Sequence, residues 1–155
     1  MRDSKHAESA NAKFLRRLFD APTRVIVAVL WFVGAVFAAT ATVLALIRPG
    51  AGPYGAFLIP AAALVFIAVA LLRLQLWAMA VSFLLLSGQV VGVVGTTLQL
   101  AHGIDAGKAA ELRALGVEPR FGVAINLAFS FAATCVLVVS IVRAVRRPRD
   151  TLFAE

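Results

Sequence analysis

Gln89 and Asn126 lie in apolar stretches of this sequence, as do the hydroxyls of Ser82, Ser87, Thr96, Thr97, Ser130 and Thr134. An amide or hydroxyl surrounded by hydrocarbon has two uses. It can hydrogen-bond a neighbouring helix, worth about 0.6–2 kcal/mol, or it can line a path for a polar molecule. The spacing favours the first use. At about 100° per helical residue, Gly88, Gly92, Gly95 and Gln99 fall within about 60° of one another. They form one ridge free of bulky side chains. A second ridge, Ser82, Gln89 and Thr96, repeats every seven residues beside it. Lipid tails gain nothing from such a notch, whereas a second helix gains dispersion contacts. These residues are therefore expected to make the closest helix contact, and Asn126, Ser130 and Ala133 offer a partner face.

Other chemistries lack their residues. No Asp, Glu, Lys, Arg or His falls deep inside an apolar stretch, which argues against a proton-coupled carrier. A bis-histidine haem needs several intramembrane histidines, and the chain has His6 and His102 alone. The only cysteine, Cys135, forms no redox pair. Its depth suggests a small packed residue. His102, Asp105, Glu111 and Glu118 match no metal-ligand spacing. The chain is thus expected to bind no cofactor or metal of its own and to be no enzyme.

The elements that carry these residues follow from composition. Of 155 residues, 61% are hydrophobic, and mean hydropathy is +0.92. Soluble domains hold about 45–50% apolar residues. The excess comes in long runs, which read as membrane spans. The expected fold is all-α: an integral membrane protein with four transmembrane helices in an up-down bundle. The spans are placed at about 25–47, 54–72, 76–99 and 121–142. Residues 1–24 form a polar N-terminal segment and 143–155 a basic tail.

Local signals set the ends. Asp20 and Pro22 suit a helix start, and Pro60 belongs in early helical turns. A single helix from Ala56 to Leu100 would be about 65 Å long, so the chain must reverse near Arg73, Leu74 and Gln75. In the loop 101–120, Asp105 can cap a short helix and Gly116 can end it in a left-handed conformation. Near the N-terminus, Phe14, Leu15, Leu18 and Phe19 share a helical face beside Lys13, Arg16 and Arg17. This is either an interfacial amphipathic helix on lipid headgroups or a plain extension of the first span. A cleaved signal peptide is the rival reading of the first span, with Ala39-Thr40-Ala41 as its site, but the apolar stretch is too long for one.

Charge gives orientation and partners. The net charge of +7 comes from basic residues that flank apolar spans, so lipid, not nucleic acid, is the expected anionic partner. Lys13, Arg16, Arg17, Arg143, Arg146 and Arg147 are the headgroup candidates. Eleven basic residues fall on the side of the termini: Arg2, Lys5, Lys13, Arg16, Arg17, Arg24, Arg73, Arg143, Arg146, Arg147 and Arg149. Four, Arg48, Lys108, Arg113 and Arg120, fall on the other. The positive-inside rule then puts both ends in the cytoplasm. Trp31 and Trp77 are expected at that interface. Arginine outnumbers lysine twelve to three, as in GC-rich bacteria, so a bacterial inner membrane is expected. In plan alone, over residues 25–142, the chain resembles small four-helix membrane proteins of such bacteria.

The function expected from these readings is non-enzymatic. The chain acts through helix packing, as an accessory or assembly subunit of an inner-membrane complex or as a homo-oligomer. The interface candidates are Gly88, Gln89, Gly92, Gly95, Thr96, Asn126 and Ser130. Two alternatives stand beside it. One is a small pore or carrier for an uncharged or lipid-like molecule. The other is a lipid-directed enzyme using the outer loop.

Overall fold

A computed structural model describes residues 11–47 and 58–146. Their regular structure is entirely helical, with no strand among them. Residues 11–18 form α1. The elements α2 (Ala21–Ile47), α3 (Leu58–Leu72), α4 (Leu76–His102), α5 (Ala106–Ala114) and α6 (Pro119–Arg146) follow.

Three helices are long and apolar enough to cross a membrane: α2, α4 and α6, with 27, 27 and 28 residues. At 1.5 Å per residue each exceeds a hydrocarbon core of about 30 Å. The described part of the expected second span is α3. Its 15 residues rise only about 22 Å. Residues 54–57, where that span was expected to begin, lie outside the described residues, as does the Arg48–Pro53 turn.

The helix ends are set by local chemistry. Asp20 Oδ1 accepts the Thr23 N–H at 3.1 Å, capping α2. Asp105 Oδ2 accepts from the backbone of Gly107 and Lys108 at 2.9 and 3.2 Å, starting α5 as expected. Gly116, at φ 70°, ends it. The Val117 N–H reaches back to the Leu112 carbonyl at 2.8 Å, which satisfies the last turn. Glu118 Oε2 accepts the Phe121 N–H at 2.8 Å, and Pro119 takes the first position of α6, where no N–H is missed.

The reversal falls at residues 73–75, between α3 and α4. The Gln75 N–H donates to the Ala70 carbonyl at 3.1 Å, and the Leu74 N–H to that of Leu71 at 3.1 Å. This closure needs a left-handed residue, a place usually taken by glycine. Here Leu74 takes it, at φ 63°, at a cost of about 1–2 kcal/mol.

The helices pack mainly as two pairs, α2 with α3 and α4 with α6. The pairs meet most fully at one end. There Leu18, Phe19, Val27, Ala28 and Trp31 pack with Ala68, Leu71, Met79, Leu86, Ala133 and Leu137. Every one lies in the half of its helix nearest the chain ends and the α3–α4 turn. Leu18 and Phe19 are 1% and 2% exposed, so the apolar face of α1 plugs this end of the bundle. Phe14 alone points outward, with exposed Lys13 and Arg16 beside it. Of the two alternatives open for this segment, an interfacial helix or a plain extension of the first span, neither describes it fully, because most of its apolar face is spent on the protein's own core.

Candidate functional site

The α4–α6 contact is a polar seam. Ser130 Oγ donates to Gln89 Oε1 at 2.8 Å. About 10 Å further along α4, Asn126 Nδ2 lies 3.5 Å from Thr96 Oγ1, the outer limit of a hydrogen bond. As the numbers rise on α4 they fall on α6, so the two helices run antiparallel. Gly92 sits between these links. A Cβ there would stand 3.0 Å from Ser130 Oγ and 3.6 Å from its Cβ. The helices approach closely at this point because Gly92 has no side chain.

The glycine ridge expected at this contact divides. A Cβ on Gly88 or Gly95 would meet nothing within 4 Å. Both residues are exposed. The face turned inward is the neighbouring ridge, with Ser82 and Thr96 buried and Gln89 half-buried. Desolvation explains the choice. A glycine loses little against lipid, but an amide or hydroxyl needs a polar partner, and α6 supplies one. The remaining α4 hydroxyls need no second helix. Ser87 and Thr97 donate to their own helix, to the carbonyls of Phe83 and Val93.

Ser82 has a partner that periodicity did not reveal. The Trp31 Nε1–H donates to Ser82 Oγ at 3.0 Å, joining α2 to α4. Trp31 is 1% exposed. The expectation that it anchors at the lipid interface is corrected: its N–H is satisfied inside the protein. Trp77 is exposed, stacks on Phe66 at 5.4 Å and donates its Nε1–H to Gln75 Oε1.

Between the two helix pairs lies a crevice of about 340 Å³, partly open at its rim. Its walls are mostly apolar, with Trp31, Phe37, Leu64 and Phe129 prominent, and both amides, Gln89 and Asn126, reach it. Phe129 crosses beside Gly34, where a Cβ would come within 3.2 Å of its ring. The hydrocarbon cluster fills the bundle on the terminal side of this crevice.

Compared with known protein families, curated proteins and solved structures, the chain matches none.

The other expected sites fall apart or stay at the surface. Among the described residues no three His, Cys, Asp or Glu side chains converge as for a metal. Asp105 and Glu118 are helix caps instead. Lys108 Nζ donates to Gln99 Oε1 at 3.0 Å, and Leu112 packs over Gly122, so the short helix is tied to α4 and α6. Cys135, expected to be packed, is exposed and borders a shallow groove between α2 and α6. The headgroup candidates Lys13, Arg16, Arg17, Arg143 and Arg146 gather at the end closed by α1. Arg147 lies outside the described residues.

Proposed function

We propose that this chain is a non-enzymatic, four-span protein of a bacterial inner membrane that works by packing against another transmembrane helix. Residues 54–72 supply the fourth span, about 28 Å if helical throughout. The observation that carries the reading is the unused face of α4. Leu84, Gly88, Val91, Gly95 and Leu98 are all exposed and follow a four-three-four-three spacing. That is the rhythm at which one helix packs along another. The inner seam, Ser82, Gln89 and Thr96, has the same seven-residue period and lies about 140° round the helix from the middle of that face. The α4 helix therefore carries two packing faces, and the chain itself fills one.

The partner is a second copy or a subunit of a larger complex. Native mass spectrometry from mild detergent tests this. The chain should travel with another transmembrane chain or a copy of itself, and Gly95→Leu should release it with helicity unchanged. A wild-type chain that is alone under the mildest conditions refutes the reading.

Both termini belong in the cytoplasm in this proposal. Among the described residues, Lys13, Arg16, Arg17, Arg24, Arg73, Arg143 and Arg146 lie at one end of the bundle, against Lys108, Arg113 and Arg120 at the other. That asymmetry supports the orientation. In a Cys135→Ser background, an impermeant thiol reagent should label a cysteine at Ala110 in intact cells. It should fail at Ala10 and Asp150. The reverse pattern would invert the topology.

A further inference from the structure

We propose that the crevice between the helix pairs is a binding site for one uncharged, single-chain lipid with a hydroxyl head. The inference is independent of the partner reading above, since the crevice meets α4 at Leu85 and Gln89, about a quarter turn round the helix from the exposed Gly88 and Gly95.

The argument begins with two amides that the fold leaves half satisfied. Gln89 Oε1 is occupied by Ser130 Oγ. Its Nε2, with two N–H donors, has no partner among the described residues. Asn126 places Nδ2 at 3.5 Å from Thr96, and its Oδ1 has no partner among them either. Both residues border the crevice. Gln89 is the middle residue of α4, Leu76–His102. Asn126 is seven positions into α6, Pro119–Arg146, about 10 Å along its axis. Both therefore sit within the hydrocarbon depth, where an unpaired polar group costs several kcal/mol. A free donor and a free acceptor on one cavity match a group that both accepts and donates. A hydroxyl does this with one oxygen.

The remaining walls define the rest of the molecule. They are hydrocarbon and aromatic, which suits an alkyl or isoprenoid chain. The volume of about 340 Å³ lies at the small end of ligand sites, which run from about 300 to 1,000 Å³. It has room for one chain, not for a two-tailed phospholipid. No charged side chain lines the crevice, so an ionised head would be buried without a counter-charge. The class that fits is a long-chain or isoprenoid alcohol.

Trp31 lines the same crevice and reports its occupancy. The chain has two tryptophans, so Trp77→Phe leaves Trp31 as the sole indole. The probe is a long-chain alcohol brominated near its hydroxyl, since bromine quenches indole fluorescence on contact. The full-length protein in detergent should show saturable quenching. A brominated alkane of equal length should need roughly tenfold more probe, the effect of losing one or two hydrogen bonds. Asn126→Leu, a change at an exposed side chain, should bring the alcohol curve onto that of the alkane. A long-chain carboxylate at pH 8 should not compete. Quenching that never saturates, identical curves for alcohol and alkane, or equal competition by the carboxylate would each overturn the proposal.

Discussion

Gly92→Leu should cost the folded chain about 2–5 kcal/mol, combining overpacking of a tight contact with loss of the Gln89–Ser130 bond. A Cβ at this position already stands 3.0 Å from Ser130 Oγ. Three further carbons aimed the same way cannot fit unless α4 and α6 separate. Separation breaks the link from Ser130 to Gln89 and leaves an amide facing hydrocarbon. Helix propensity works against this loss, because leucine is favoured over glycine by nearly 1 kcal/mol, but it does not offset the clash. The same substitution at Gly95 isolates the propensity term, since no atom lies within 4 Å of a Cβ there. Thermal unfolding in detergent should therefore show Gly92→Leu far below wild type. In detergent that leaves every variant without its partner, Gly95→Leu should be equal to wild type or slightly above it, and Leu84→Ile, on the exposed face, unchanged. Equal melting of Gly92→Leu and wild type would mean that the seam is not a tight contact.

Trp31→Ala is the second large effect. The side chain is 1% exposed and sits among residues of all the long helices. Removing a buried tryptophan costs about 3–5 kcal/mol in soluble cores. The low end applies here, because lipid replaces part of the lost dispersion in the unfolded reference. Trp31→Phe keeps most of the volume and removes only the donor to Ser82, so it should cost about 0.6 kcal/mol and no more than about 2. Ser82→Ala should cost a similar amount, and the double variant less than the sum, because both break one bond. Melting curves for the four variants check this. Additive losses from Trp31→Phe and Ser82→Ala would show that the bond does not form.

The helix ends were legible in the sequence because their causes are local. Asp20, Asp105 and Gly116 act on backbone groups within a few residues of themselves, and each does what its residue type predicts. The reversal at Arg73–Gln75 was legible from length alone, though nothing in the sequence marked Leu74 as its left-handed residue. The polar ridge of α4 and its α6 partners were legible as a face. That the Gln89 amide turns toward protein was legible from its cost against lipid; that Gly88 and Gly95 turn away was not, because they share the small size of Gly92 and differ only in what lies opposite them. Trp31 was misplaced for a similar reason. An indole near a span end suits an interface, and only the tertiary position of Ser82 gives its N–H a partner inside. The crevice was illegible for a different reason: it is the gap between two helix pairs, and periodicity along one helix carries no information about that distance.

The central claim is that the outward face of α4 meets another helix and not lipid. Val91 lies between Gly88 and Gly95 on that face and is 75% exposed within the chain. A diazirine-bearing aliphatic residue in its place reports its neighbour by reacting with whatever touches it. Phe131 of α6, 60% exposed, is the control on another face. On illumination of native membranes, position 91 should give a discrete protein adduct, whose mass identifies a second copy or a distinct subunit. Position 131 should give lipid adducts only. Lipid adducts alone at position 91 would contradict the account.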